Sequence, residues 1–348
     1  MESVTSSTVL LFYGDCERDR FFRHDRYVRR LLRPGYKLLK GDQSVSGFYV
    51  WFQSLVKALR QAGQEVVIDD YDRARRNPEF PVGLVGYPSI LTGWDLPNPA
   101  ILGPGMYDHP ALHAGLMADP RFRAYIVSCQ WMDDMFRPSY GSTLVRWYAG
   151  IDTHLWPDTR GERKTIDVLV YDKIRWNREQ YEPSLLNPIL AELQRRGLSY
   201  RVVRYGHHQH RGYRKLLRNA QAMIFLCEHE TQGLAYQEAM ASNLPILAWD
   251  PGYWVDPKRP VDPSISIPAT SVPYFSPSCG ETFENIAEFH RKFPSFWEQR
   301  AAYEPRRFVQ QHLSLAGSAE LYLRAYRAVG AAPPAGPALV GAGRGAAV

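Results

Sequence analysis

Cysteine is scarce in this chain: four residues in 348, at Cys16, Cys129, Cys227 and Cys279. They lie far apart and none shares a metal-ligand spacing with another, which excludes a cysteine-built metal centre and a disulfide-dense scaffold; four buried or idle thiols in a reducing compartment are expected. Long apolar runs are lacking too. Nothing approaches the ~20 residues that a membrane helix needs, and no leader pattern opens the chain, so a cytoplasmic protein without a transmembrane segment is the expectation.

Charge of one sign is only mildly in excess. The 42 Lys and Arg against 36 Asp and Glu leave a formal +6, which favours anionic partners without choosing among a nucleotide sugar, an anionic lipid surface and nucleic acid. Much of the excess is local: residues 18–37 interleave Arg20, Arg23, Arg26, Arg29, Arg30 and Arg33 with aromatic and aliphatic side chains. That segment reads either as a helix with a solvated face or as a peripheral contact to an anionic surface, such as the inner face of a membrane. A hydrophobic content of 45% with 22% charged residues is that of a globular protein, and the length suits two domains of about 150 residues each.

Strands of four to eight apolar residues alternate with helical periodicity along the chain, the pattern of an α/β fold with largely parallel sheets. Strands are expected at 8–13, 66–70, 82–85, 100–102, 124–128 and 143–147, with a helix over 46–65 that Gly63 ends. Further strands are expected at 165–171, 200–205, 222–226 and 245–249. Helices are expected at 182–196, 213–219 and 234–242, then over 280–289 and 306–328. The last residues, rich in Ala, Gly and Pro, read as a disordered tail.

Residues 227–250 carry the most information. Glu230 and Glu238 flank Gly233 in a strand, loop, helix, strand unit, with Glu230 in the loop and Glu238 about a turn into the helix. A carboxylate there can accept hydrogen bonds from two vicinal hydroxyls, while the glycine lets backbone approach a ligand and the helix start offers N–H groups to a phosphate. Two other clusters compete as sites. Asp70 and Asp72 form an Asp-x-Asp after a strand, which reads as a solvated strand end more than as a metal site. The run from His207 to His210 has no carboxylate or cysteine at zinc spacing and reads as a polar loop.

The segment Glu230-Thr-Gln-Gly-Leu-Ala-Tyr-Gln-Glu-Ala-Met-Ala241, followed by Leu244-Pro245 and an apolar strand, resembles the Glu-x7-Glu signature of retaining GT-B glycosyltransferases of the family-4 type. Looser similarities extend this to both halves: Leu59, Gly63, Glu65 and Val66 at the end of the first helix, Ser128 at a strand-to-helix turn, and the turn 148–157. The resemblance implies two Rossmann-like domains facing each other across a cleft. The first would span 1–157, a hinge linker 158–164, and the nucleotide-sugar domain 165–305; helix 306–330 would cross back to the first domain, and 331–348 would be the tail. The chain has one strand-helix unit fewer before Glu230 than this family usually carries.

By the same resemblance, Glu238 would bind the donor ribose and Glu230 the transferred sugar, with Gly233 and Leu234 offering N–H groups and Gly47 approaching the phosphate from the first domain. Lys173 and Arg178, with Arg175 as substitute, would meet the diphosphate, and His109 would reach the sugar. The implied reaction moves a sugar from a nucleoside-diphosphate sugar, UDP- or GDP-type, to an unidentified acceptor, with retention, no metal and no cofactor. The alternatives are a nucleotide-sugar epimerase on the same fold and a degenerate transferase acting as a polyanion- or membrane-binding subunit.

Overall fold

The computed structural model describes residues 8–14, 47–206, 210–262 and 264–331. The basic segment 18–37, residues 207–209, the side chain of His210 and residues 332–348 of the expected tail lie outside the described residues.

Two parallel sheets organise the chain. The first contains β1 (Thr8–Gly14), β2 (Glu65–Ile68), β3 (Val82–Gly86), β4 (Ala100–Leu102), β5 (Phe122–Val127) and β6 (Leu144–Arg146), in the order β2-β1-β3-β4-β5-β6. The second contains β7 (Ile166–Lys173), β8 (Tyr200–Arg204), β9 (Ala220–Cys227), β10 (Ile246–Trp249) and β11 (Gly280–Phe283), in the order β11-β10-β9-β7-β8. Every pairing within both sheets is parallel.

Central strands are buried on both faces, as parallel sheets require. In β1, Val9 and Leu11 enter one apolar cluster while Leu10 and Phe12 enter another. In β7, Leu169 and Tyr171 face the cluster under Tyr236 and Met240, whereas Val168 and Val170 face the one around Ile189 and Phe293. This alternation decides where the charged end of β7 points.

The helix α1 (Gly47–Gln61) buries Trp51, Phe52, Leu55, Val56, Ala58 and Leu59 against the first sheet. It stops at Gly63, whose φ of +78° supplies the left-handed residue of a helix C-terminus. Next in order come α2 (Tyr71–Arg76), α3 (Gln130–Tyr140) after β5, α4 (Arg178–Tyr181), a π turn over Glu182–Leu186, and α5 (Asn187–Arg195). The second unit continues with α6 (His210–Asn219), α7 (Leu234–Ala241) after β9, and α8 (Ile286–Gln299).

Two expected helices differ in outline. Residues 280–289 are a strand followed by a helix. Gly280 lies so close to β10 that a Cβ would run into the Ile246 carbonyl, so the chain pairs there as β11. The helix begins only where the Asn285 side chain caps it, accepting from the Glu288 N–H at 3.0 Å. The span 306–328 is two helices, α9 (Pro305–His312) and α10 (Leu315–Ala331). The break arises because the Leu313 carbonyl accepts the Ile151 N–H at 2.8 Å and Ser314 Oγ accepts the Gly317 N–H at 3.1 Å.

Although it follows the second sheet in sequence, α10 packs on the first. Tyr322 and Tyr326 are buried against β1 and β3. Tyr326 Oη accepts the Leu10 N–H at 2.9 Å and donates to the Pro81 carbonyl, while Trp147 Nε1 donates to the Ser318 carbonyl at 3.0 Å. Each such buried aromatic contributes about 1.5–3 kcal/mol, so α10 is held to the unit that β1 opens. Among the described residues no helix is long and apolar enough to cross a membrane.

Candidate active site

Ligands in open α/β sheets bind outside the carboxyl ends of strands, where strand order reverses. In the second sheet that point lies between β7 and β9. Lys173 ends β7, Cys227 ends β9, and loop 228–233 follows.

The loop is built from buried carboxylates. Glu228 is fully buried and accepts the N–H groups of Arg175 and Trp176, each at 2.9 Å, so it shapes the turn after β7. Burial raises its pKa, and those N–H bonds oppose the shift. Glu230, with 8% of its surface exposed, forms an ion pair with Lys173. The Lys173 ammonium also lies 4.4 Å from the Tyr205 ring centre. Burial alone would pull its pKa down, but the Glu230 carboxylate outweighs that and holds it above the ordinary lysine range.

Glu238 lies one turn into α7, equally buried. Tyr171 stands on the same face of the sheet; its pKa is raised first by burial and then by the charges of Glu230 and Glu238. Lys173 and Glu230 are therefore paired where β7 and β9 end, and Glu238 follows on α7, near enough to Tyr171 for its charge to act there. Gly233 starts α7 at φ +83°, and a Cβ there would run into the Tyr236 ring. Leu234 packs against clusters of both units.

Other predicted residues are placed differently. Arg178 makes a bidentate pair with Asp172, at 3.0 and 2.8 Å, and a third bond to Glu182 at 2.8 Å. Asp172 alternates with Lys173 along β7, so Arg178 belongs to the opposite face of the strand from the Lys173–Glu230 pair. Arg175 is nearer the loop: its guanidinium donates to the His229 carbonyl at 2.9 Å and lies 4.0 Å over the Trp176 ring. Gly47 opens α1, and its neighbour Phe48 packs against Tyr87 at the end of β3.

His109 uses Nδ1 to accept the Ala111 N–H at 3.1 Å and stacks on Trp254 at 5.9 Å. Burial lowers its pKa. Trp254 in turn meets His229 at 6.1 Å, so one indole separates His109 from the glutamate loop. Asp70 caps α2, accepting the Arg73 N–H at 2.8 Å, and Asp72 pairs with Arg75 at 3.6 Å. Among the described residues no three of His, Cys, Asp and Glu are grouped to hold a metal ion.

Several residues here escaped sequence reasoning. His229, 5% exposed, stacks on Trp176 at 5.0 Å and meets Trp131 edge-on at 6.0 Å. Burial, then the charges of Arg175 and Lys173, push its pKa down to about 2, so it is neutral at physiological pH. Gln232 crosses to the other unit, accepting the Ala149 N–H at 2.8 Å and donating to the Ala149 carbonyl at 2.7 Å. The only available signal was their position inside or beside the Glu230 loop.

The two sheets thus meet through the loops at their carboxyl ends. No sequence-family model matches the chain, and no curated protein matches it significantly in sequence. Solved structures do match in fold. AviGT4, a glycosyltransferase involved in avilamycin A biosynthesis, is 14% identical, with 93% of this chain and 98% of that chain covered at a TM-score of 0.53. Sucrose-phosphate synthase from Thermosynechococcus elongatus is 12% identical, with 93% and 99% covered at a TM-score of 0.54. At such identities the likeness concerns architecture: two parallel α/β sheets of six and five strands, the GT-B fold.

Proposed function

We propose that the protein is a glycosyltransferase that moves a sugar from a nucleoside-diphosphate sugar to an acceptor hydroxyl, with retention of configuration and without a metal ion. The observation that carries this reading is the buried Lys173–Glu230 pair at the switch point of the second sheet, with Glu238 equally buried one turn into the helix that follows. Glu238 accepts hydrogen bonds from the ribose diol, and Glu230 accepts from hydroxyls of the transferred sugar. Lys173, with Arg175 beside it, meets the charge that develops on the departing diphosphate, helped by N–H groups at Gly233 and Leu234 and by the start of α1 at Gly47. Arg178 joins them only by leaving Asp172.

His109 lies behind Trp254 on the acceptor side. The departing phosphate itself takes the acceptor proton in a same-face transfer, which needs no further base in the protein. Residues 18–37 supply the basic segment that would bring the enzyme to an anionic acceptor or to the inner membrane face.

A thermal-shift screen against UDP-, GDP-, dTDP- and ADP-sugars tests the reading. A donor at a hundred times its Kd stabilises by about 2.7 kcal/mol, and the shift should vanish in Glu238→Ala. Transfer should survive EDTA. Absence of any shift across the four nucleotides would remove the nucleotide-sugar reading, and loss on chelation with recovery on added manganese would remove the metal-independent scheme.

A further inference from the structure

We infer that Trp131 and Ser128, which belong to the first unit, are positioning residues that set the Glu230 carboxylate from across the unit boundary. The inference rests on the reading of Glu230 as the sugar contact.

Three consecutive residues of the glutamate loop are held by groups from the opposite unit. Trp131 Nε1 donates to the Glu230 carbonyl at 2.9 Å, Ser128 Oγ donates to the Thr231 carbonyl at 2.9 Å, and Gln232 exchanges two bonds with Ala149. From its own unit, the Glu230 N–H donates to the Thr270 carbonyl at 3.0 Å. The peptide between Glu230 and Thr231 is therefore gripped at its carbonyl by one unit while the N–H before it is gripped by the other. With its N–H and its carbonyl both held, the N, Cα and C atoms of Glu230 are fixed, and with them the direction of its Cα–Cβ bond toward Lys173.

Ser128 and Trp131 flank the start of α3, where a serine hydroxyl ordinarily caps the helix. Here the N-cap residue is Cys129, and it makes no side-chain cap bond. The Ser128 hydroxyl lies 2.9 Å from the Thr231 carbonyl and 3.3 Å from Met132 Sδ, and the carbonyl, nearer and the stronger acceptor, takes its proton. Ser128 is itself anchored, because Tyr274 Oη donates to its carbonyl and the Tyr274 N–H reaches Tyr236 Oη at 3.1 Å. Trp131 and Ser128 are 8% and 3% exposed, so water does not compete for these bonds. The charged donor contacts come from the second unit, whereas the register of its sugar-facing carboxylate is fixed by the first.

The test uses the full chain with Trp131→Phe, which keeps the ring and loses the N–H, and Ser128→Ala, a nearly isosteric loss of the hydroxyl. Amide hydrogen exchange over residues 228–234 is measured alongside kcat, KM and the Kd for a nucleoside diphosphate. Exchange in that loop should rise at least about tenfold. Turnover should fall by about ten- to a hundredfold, as a small misplacement of a reacting contact does, with diphosphate Kd within about twofold of the parent. Unchanged exchange in both variants overturns the clamp. Faster exchange with unchanged kcat overturns the positioning role, as does a loss of diphosphate affinity that matches the loss of turnover. If the parent turns over no nucleotide sugar, the sugar-transfer reading falls and takes the kinetic half with it, while the exchange result still decides whether the loop is held from the first unit.

Discussion

Replacing Glu230 with Ala strands a buried ammonium, and the size of that effect follows from the surroundings of Lys173. The two side chains are 12% and 9% exposed, so water screens neither well. With Glu230 gone, the charge keeps, among the described residues, the Tyr205 face at 4.4 Å, a contact worth about 0.5–2 kcal/mol. Breaking a buried pair from one side costs about 3–5 kcal/mol, whereas replacing both partners with apolar side chains of similar volume is close to neutral. In a unit of this size each kcal/mol moves the melting temperature by about 2–4 °C. Glu230→Ala should therefore lower it by about 6–20 °C, and adding Lys173→Met to that variant should recover most of the loss. Saturating UDP should stabilise Glu230→Ala more than the parent, because the diphosphate takes the vacated place beside Lys173. Scanning calorimetry of the parent, the two single variants and the double variant decides. Additive losses in the double variant would refute a coupled pair, and equal stabilisation by UDP would refute the diphosphate contact. The raised pKa of Lys173 fixes the pH window: its contribution is complete below the ordinary lysine range and is lost as pH rises through the raised value.

Three further outcomes follow from the same region. Glu238→Ala should weaken nucleotide binding by about 1.5–3 kcal/mol for each charge-assisted bond lost, read by titration calorimetry, and an unchanged Kd would remove the ribose role. Gly233→Ala, which forces a side chain into φ +83° and against the Tyr236 ring, should cost at least about 1–3 kcal/mol in denaturant unfolding, and a loss under about 0.5 kcal/mol would contradict the strain. His229 has a depressed pKa of about 2, so below the unfolded value of about 6.5 only the unfolded chain takes up its proton, and stability falls by about 1.4 kcal/mol per pH unit as pH drops. His229→Phe should flatten that acid limb in unfolding midpoints measured from pH 7 to 4.5, and an identical slope in parent and variant would show that His229 is not the group responsible.

Most of the fold was legible because parallel strands advertise themselves as short apolar runs. Segments such as Thr8–Gly14 and Ala220–Cys227 are buried on both faces, and nothing in their composition competes with the strand pattern. Legibility failed where a tertiary contact overrode local preference. Residues 280–283 carry no strand signal of their own; Gly280 can lie against the Ile246 carbonyl only because it has no Cβ, and β10 then captures the segment. The break between α9 and α10 depends on the Leu313 carbonyl being claimed by Ile151, a residue more than a hundred and fifty positions earlier. In the second sheet β8 alone lies beyond β7 and forms an edge, with Arg201 and Arg204 exposed along it, charged side chains that keep an open edge from pairing.

The site was legible in its carboxylates and illegible in its supports. Glu230, Gly233 and Glu238 stand in one local string, so spacing alone links them. Lys173 and Arg178 lie close in sequence and look interchangeable, yet a strand separates them: alternation along β7 sends Lys173 to Glu230 and Asp172 to the other face, and Asp172 carries Arg178 with it. The period of two at the end of β7 divides the basic run that follows between the two faces of the sheet. The sequence marks Ser128 at a strand-to-helix turn and Ala149 within the turn 148–157, but nothing in it ties them or Trp131 to the glutamate loop, and each is long-range to that loop, by 103, 83 and 99 positions. A hydrogen bond from a buried indole to a distant carbonyl leaves no trace in spacing or composition. For a candidate site where two units meet, the residues proposed to bind can therefore be read along the chain, while those that hold them in place become visible only once the two units are brought together.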